Sequence, residues 1–126
     1  MNGKKVLLDS NIIIYLSQGK IAVDDLIHEN SAYFISVITF MEVLGYDFES
    51  TDEELTVRSL LNLFEIFYID EKTSHRVIDI RRKNRVKLPD AVICATAIEN
   101  GCILYTRDKQ FLQINDLNID FIDING

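Results

Sequence analysis

Four acidic residues stand at places where carboxylates can do chemistry: Asp9, Glu42, Asp90 and Asp108. Asp9 stops the apolar run Val6-Leu7-Leu8 and leads into Ser10 and Asn11. Glu42 lies in the segment TFMEV, one helical turn after Thr39. Asp90 follows Pro89 in LPDAVICATA, and Asp108 follows Thr106 in LYTRDKQF. Each has an ordinary reading, since Asp9 can cap a helix with Ser10 and Asn11, Asp90 can complement a helix dipole, and Asp108 can start a turn. Taken singly, those readings are the better ones. Taken together the weighting changes, because two carboxylates about 4 Å apart repel by ~4 kcal/mol at an effective dielectric of 20. Several such pairs call for a cation. Neither of the two histidines, His28 and His75, neighbours any of the four acids in sequence. An all-oxygen donor set of this kind favours Mg²⁺ or Mn²⁺ over Zn²⁺.

The elements that must position these acids follow from hydrophobic periodicity. Val6–Leu8, Tyr33–Ser36, Ile66–Ile69, Ile103–Tyr105 and Ile119–Ile122 read as five short apolar strands. Helices are expected from Asn11 to Leu16, from Val23 to Asn30, and along Val37, Met41, Leu44 and Phe48. Thr51 with Glu54 forms a capping box that starts another. Thr73, Val77, Ile80 and Asn84 mark the inner side of a basic helix, and Pro89 opens the next, which runs to Asn100 and stops at Gly101. A short turn with Phe111 and Leu112 joins the last two strands. Brief strands, apolar throughout and separated by helices, imply a parallel sheet covered on both faces. In such a sheet, ligands bind outside the carboxyl ends of the strands, where Asp9 and Asp108 fall. Glu42 sits beside Met41 at the border of an apolar helix face and so needs a partner.

The 126 residues carry 13 basic and 20 acidic side chains for a net charge of −7, with 48% hydrophobic residues, one Pro and five Gly. That balance fits one globular domain over residues 1–126 and excludes disordered or collagen-like chains. The N-terminal apolar run breaks at Asp9-Ser10-Asn11, so it offers neither a membrane span nor a signal-peptide core, which implies a soluble, cytoplasmic protein. Cys94 and Cys102 have neither the number nor the spacing of a disulfide framework or zinc site. Cys94 shares a helix stripe with Ala91, Ala95 and Ile98, which reads as packing rather than catalysis. Charge is placed unevenly, with four basic and twelve acidic groups in residues 1–70. By contrast, residues 71–87 hold Lys72, Arg76, Arg81, Arg82, Lys83, Arg85 and Lys87 against only Glu71 and Asp79. This segment is a solvated helix face on the plain reading, and a phosphate-facing surface on the functional one.

LLDSNIII, TFMEV, LPDAVICATA and LYTRDKQF resemble, in order and spacing, the four acidic motifs of PIN-domain ribonucleases, and the chain is similar in length and motif order to the VapC-type toxins of toxin-antitoxin pairs. The resemblance implies a three-layer α/β/α fold with a short central parallel sheet of about five strands. It makes Asp9, Glu42, Asp90 and Asp108 the metal-binding, catalytic carboxylates of a Mg²⁺- or Mn²⁺-dependent endoribonuclease acting on single-stranded or loop RNA. Ser10, Asn11, Thr39 and Thr106 become supporting groups that hold the carboxylates or a water by hydrogen bonds. Members of the family frequently carry another acid where this chain has Gln110, which lowers the charge of the site and bears on whether a second ion binds.

In that setting, Arg81, Arg82, Lys83 and Arg85 are candidates for RNA contact. The resemblance also implies a homodimer and a small antitoxin with a basic tail, for which the apolar positions around Phe40, Val43, Tyr46 and Phe48 are a candidate groove. Two other readings compete. A response-regulator receiver resembles this length and sheet, but its acidic pair after the first strand has no counterpart here. A noncatalytic RNA-binding or scaffold PIN domain resembles an active one with acids lost, whereas all four are present.

Overall fold

The structure, a computed structural model, describes residues 3–124. Its elements run β1 (Lys5–Leu8), α1 (Ser10–Ser17), α2 (Val23–Leu26), β2 (Ala32–Ser36), α3 (Val37–Leu44), α4 (Thr51–Leu61), β3 (Glu65–Phe67), α5 (Glu71–Lys83), α6 (Leu88–Glu99), β4 (Ile103–Thr106), a 3-10 turn (Lys109–Gln113) and β5 (Ile119–Phe121). All five strands are parallel, in the order β3-β2-β1-β4-β5. The chain therefore builds outward from β1 in one direction and then returns to its other side. The β1/β4 junction is the switch point of the sheet, and parallel sheets of this kind take ligands outside the strand carboxyl ends at such a point.

Alternation along each strand sends side chains to two separate cores. Val6, Leu8, Tyr33, Ile35 and Tyr105 pack with Ile12, Ile13 and Leu16 of α1, Val43 of α3 and Val57, Leu60 and Leu61 of α4. Leu7 and Leu104, facing the other way, pack with Val77 and Ile80 of α5, with α6, and with Phe111 and Ile114. Three layers result, as the sequence pattern implies. Helix α6 is buried from Ala91 to Ala97 on every side, so burial extends beyond the stripe of Ala91, Cys94, Ala95 and Ile98 to the whole circumference. No helix among the described residues is long and apolar enough to cross a membrane.

Several boundaries differ from the sequence expectation, each for a local reason. Helix α2 ends at Leu26 rather than Asn30, because the Tyr33 hydroxyl accepts from His28 N at 2.9 Å and donates to Leu26 O at 3.2 Å. Helix α3 stops at Leu44, before Phe48, where the Gly45 amide closes the last turn on Met41 O. The cap of α4 is Ser50, whose hydroxyl accepts from Glu53 N at 3.1 Å, one residue before the Thr51 box. Strand β3 covers Glu65–Phe67 rather than Ile66–Ile69. Its partner β2 ends at Ser36, which pairs with Phe67 and then caps α3, so Tyr68 and Ile69 have no ladder to join and lie exposed. Gly101, with φ of 65°, supplies the left-handed residue that ends α6.

Candidate active site

The four acids come to one end of the molecule by four different local devices. Asp9 is the N-cap of α1, its Oδ1 accepting from Ser10 N at 2.7 Å, so ordinary capping and placement at the end of β1 are the same act. Leu8 pairs with Tyr105, and Asp9 N donates to Tyr105 O, which sets Asp9 beside the end of β4. There Thr106, fully buried, donates from Oγ1 to Asp9 Oδ2 at 2.7 Å and accepts from Asp108 N at 3.0 Å. Asp108 in turn caps the 3-10 turn by accepting from Gln110 N. Asp90 occupies the first turn of α6, behind Pro89. Gln110 Nε2 donates to both Asp108 Oδ2, at 2.6 Å, and Asp90 Oδ2, at 3.2 Å. On the other flank, Ser10 Oγ donates to Glu42 Oε1 at 2.8 Å and lies 3.0 Å from Thr39 Oγ1.

One continuous belt of hydrogen bonds thus joins Glu42, Ser10, Asp9, Thr106, Asp108, Gln110 and Asp90. Among the described residues, none of the four acids has a basic side chain within ion-pair distance. Asp9 and Asp90 both hold their protons more tightly than an ordinary carboxyl. Burial first, then the charges of Asp90 and Asp108, push Asp9 up to about 6, against the hydrogen bonds from Thr106 and Ser10. Asp90 is raised by burial, Asp108 and Glu42, with Lys87 and Gln110 pulling the other way. Hard oxygen donors without a cation are what Mg²⁺ or Mn²⁺ prefers, so the donor set fits such an ion. As they stand, no three acids, histidines or cysteines among the described residues converge closely enough to chelate one.

The remaining expected residues fall into two groups. Ser10 and Thr106 lie on the belt and Thr39 beside it, against Ser10 Oγ, whereas Asn11 is exposed and its side chain makes no hydrogen bond among the described residues. Arg81, Arg82, Lys83 and Arg85 are exposed at the end of α5 and just beyond it, with Lys83 bonded to Asp79 at 3.2 Å. Arg76 is engaged by Glu99 at 2.7 Å. The charge of Lys87, three residues before Asp90, favours the ionised Asp90 carboxylate. Gln110 is the residue whose role the sequence leaves unseen, since its contact with Asp90 crosses from the 3-10 turn to α6. Cys94 is fully buried, and burial aided by Asp90 and Asp9 pushes its thiol up to about 12, so it packs rather than reacts.

The PIN-domain family model matches residues 6–117, which takes in β1 from Val6 on, β2, β3, β4 and all the residues just described, and ends before β5. The chain belongs to the PIN-domain family. This PIN domain is 26% identical over 125 residues to Ribonuclease VapC1 of Rickettsia felis, covering 90% of this chain and 93% of that protein. Among solved structures it resembles a toxin-antitoxin complex from Klebsiella pneumoniae, with 32% identity, a TM-score of 0.73, and 95% and 98% of the two chains covered. The fold is also shared with VapBC2 from Rickettsia felis, at a TM-score of 0.83 and 20% identity over 94% and 99% of the chains. The α/β/α PIN architecture is therefore established for this sheet order and these two cores.

Proposed function

We propose that this PIN domain is a metal-dependent endoribonuclease that hydrolyses phosphodiester bonds in single-stranded or loop RNA, and that it is the toxin of a toxin-antitoxin pair. The observation that carries the reading is the belt itself, four acids from four elements tied together without a basic partner among the described residues. Asp9, Glu42, Asp90 and Asp108 would hold Mg²⁺ or Mn²⁺. Such an ion supplies activation of water near neutral pH and neutralisation of charge on the phosphoryl oxygens. The protein's own part is positioning: Thr106 and Ser10 fix the Asp9 carboxylate, Ser10 orients Glu42, and the buried Thr39 sits behind Ser10. A cleft at strand ends admits an unpaired backbone more readily than a duplex. RNA cleavage by the purified chain with and without Mg²⁺ or Mn²⁺, beside Asp90→Asn, tests the reading. Cleavage that needs the ion and is lost in the variant is expected. RNA binding without cleavage in any metal would favour the noncatalytic alternative.

The similarity to toxin-antitoxin complexes supports a small antitoxin as partner. A groove of about 620 Å³ beside Glu42 is lined by Val43, Tyr46, Phe48 and Val57 and rimmed by Asp47, Glu49 and Glu53. Apolar floor and acidic rim suit a basic amphipathic segment. Of the positions counted with this surface in the sequence, Phe40, Val43 and Phe48 also pack in the core, and Tyr46 is the one left largely exposed. A homodimer and a cytoplasmic location complete the proposal, the first checked by light scattering on the purified chain.

A further inference from the structure

Gln110 holds an unusual place. Its carboxamide nitrogen lies 2.6 Å from Asp108 Oδ2 and 3.2 Å from Asp90 Oδ2, so the two carboxylates share one group. Only the nitrogen can face them, because the amide oxygen has no proton to offer and would repel both. The two N–H groups of one amide thus stand between two negative charges, the position a cation would take. The backbone of Gln110 is fixed on both sides, its N–H donating to Asp108 Oδ1 and its carbonyl accepting from Gln113 Nε2 at 3.0 Å. Phe111, 1% exposed, anchors the same turn in the core. Gln110 itself is exposed, so its side chain is free to swing into solvent from a fixed root. Both oxygens of Asp108 are bonded to Gln110, one by its backbone N–H and one by its carboxamide.

Resting on the reading of the acids as a metal site, we infer that Gln110 is a positioning residue that bridges Asp90 and Asp108 in place of a cation. It withdraws as an ion is loaded and limits the cluster to one tightly held divalent ion. A merely structural glutamine would, when removed, lower both stability and metal affinity. A stand-in for the ion has opposite signs: its loss leaves the metal-free carboxylates repelling one another, yet frees their oxygens for metal.

The test uses the full chain, stripped with a chelator, as wild type, Gln110→Ala and Gln110→Glu. Mn²⁺ is the probe, with free ion followed by electron paramagnetic resonance and melting followed by circular dichroism. Wild type should take up one tight Mn²⁺ per chain. Gln110→Ala should melt lower without metal yet bind Mn²⁺ roughly tenfold tighter, the equivalent of one charge-assisted hydrogen bond no longer competing. Gln110→Glu should melt lowest without metal and take up a second Mn²⁺. Two tight ions in wild type, weaker binding in Gln110→Ala, or a Gln110→Glu that matches wild type in ion number and affinity would each overturn the assignment while leaving the metal site standing. A wild type that takes up no Mn²⁺ into the millimolar range would bring down the metal reading and this inference with it.

Discussion

Asp9 is 4% exposed, and its burial sets a sign that can be measured. In the metal-free folded chain its pKa is about 6 against an ordinary 3.8, so the folded state keeps a proton that the unfolded state has released. Stability from this group therefore rises as pH falls from about 6 toward 4, and above 6 the buried charge costs on the order of 3 kcal/mol. Asp9→Asn should accordingly melt higher than wild type in chelator at pH 7.5, with the gap closing by about pH 4. Parallel melting curves across that range would show that burial does not hold a proton on Asp9. Thr106→Val keeps the shape but leaves Asp9 Oδ2 without a donor and Asp108 N without an acceptor, which should cost about 1–3 kcal/mol in denaturant unfolding. At this scale Asp9 and Asp108 are legible as caps after strands, whereas Glu42 and Asp90, inside α3 and in the first turn of α6, stand out in the sequence only through the motifs they belong to. The Gln110 bridge is not legible, because two residues twenty positions apart meet only once α6 and the 3-10 turn are packed.

Helix α5 illustrates what an element's pattern does and does not tell. Its inner stripe of Thr73, Val77 and Ile80 is buried as the periodicity implies, and its last turn carries Arg81, Arg82 and Lys83, which also complement the helix dipole. Periodicity identifies the outward face; it cannot say which outward residues flank the crevice, since that depends on how α5 lies against α6. The same limit explains the strand and helix ends, which were set by tertiary partners such as Tyr33 and Ser36 rather than by local propensity. If the basic segment faces RNA phosphates, Arg82→Gln with Arg85→Gln in the inactive Asp90→Asn background should lower the log-log salt slope of RNA binding by ~0.7 for each phosphate no longer neutralised. Lys83→Gln should matter less, because Lys83 already bonds Asp79. Equal slopes for all variants would return the segment to a solvated face.

On the scale of the whole molecule, the four acids stand at positions 9, 42, 90 and 108 and belong to segments that pack into both cores. An ion held among them would tie β1, α3, α6 and the loop after β4 into one unit, so its binding should appear as global stabilisation rather than as a local change. A ligand bound only by the folded state adds about 2.7 kcal/mol at a hundredfold excess over Kd. For a domain of this size that is a rise on the order of 8 °C in Tm. Mn²⁺ titration followed by thermal melting should show one cooperative transition moving upward. Asp9→Asn, Glu42→Gln, Asp90→Asn and Asp108→Asn should each shrink the movement although they lie far apart in sequence. Glu29→Gln, exposed and away from the belt, is the control that should leave it intact. If the control loses as much of the shift as the four variants, the ion is acting on the acidic surface at large, as a net charge of −7 allows, and not at the end of the sheet.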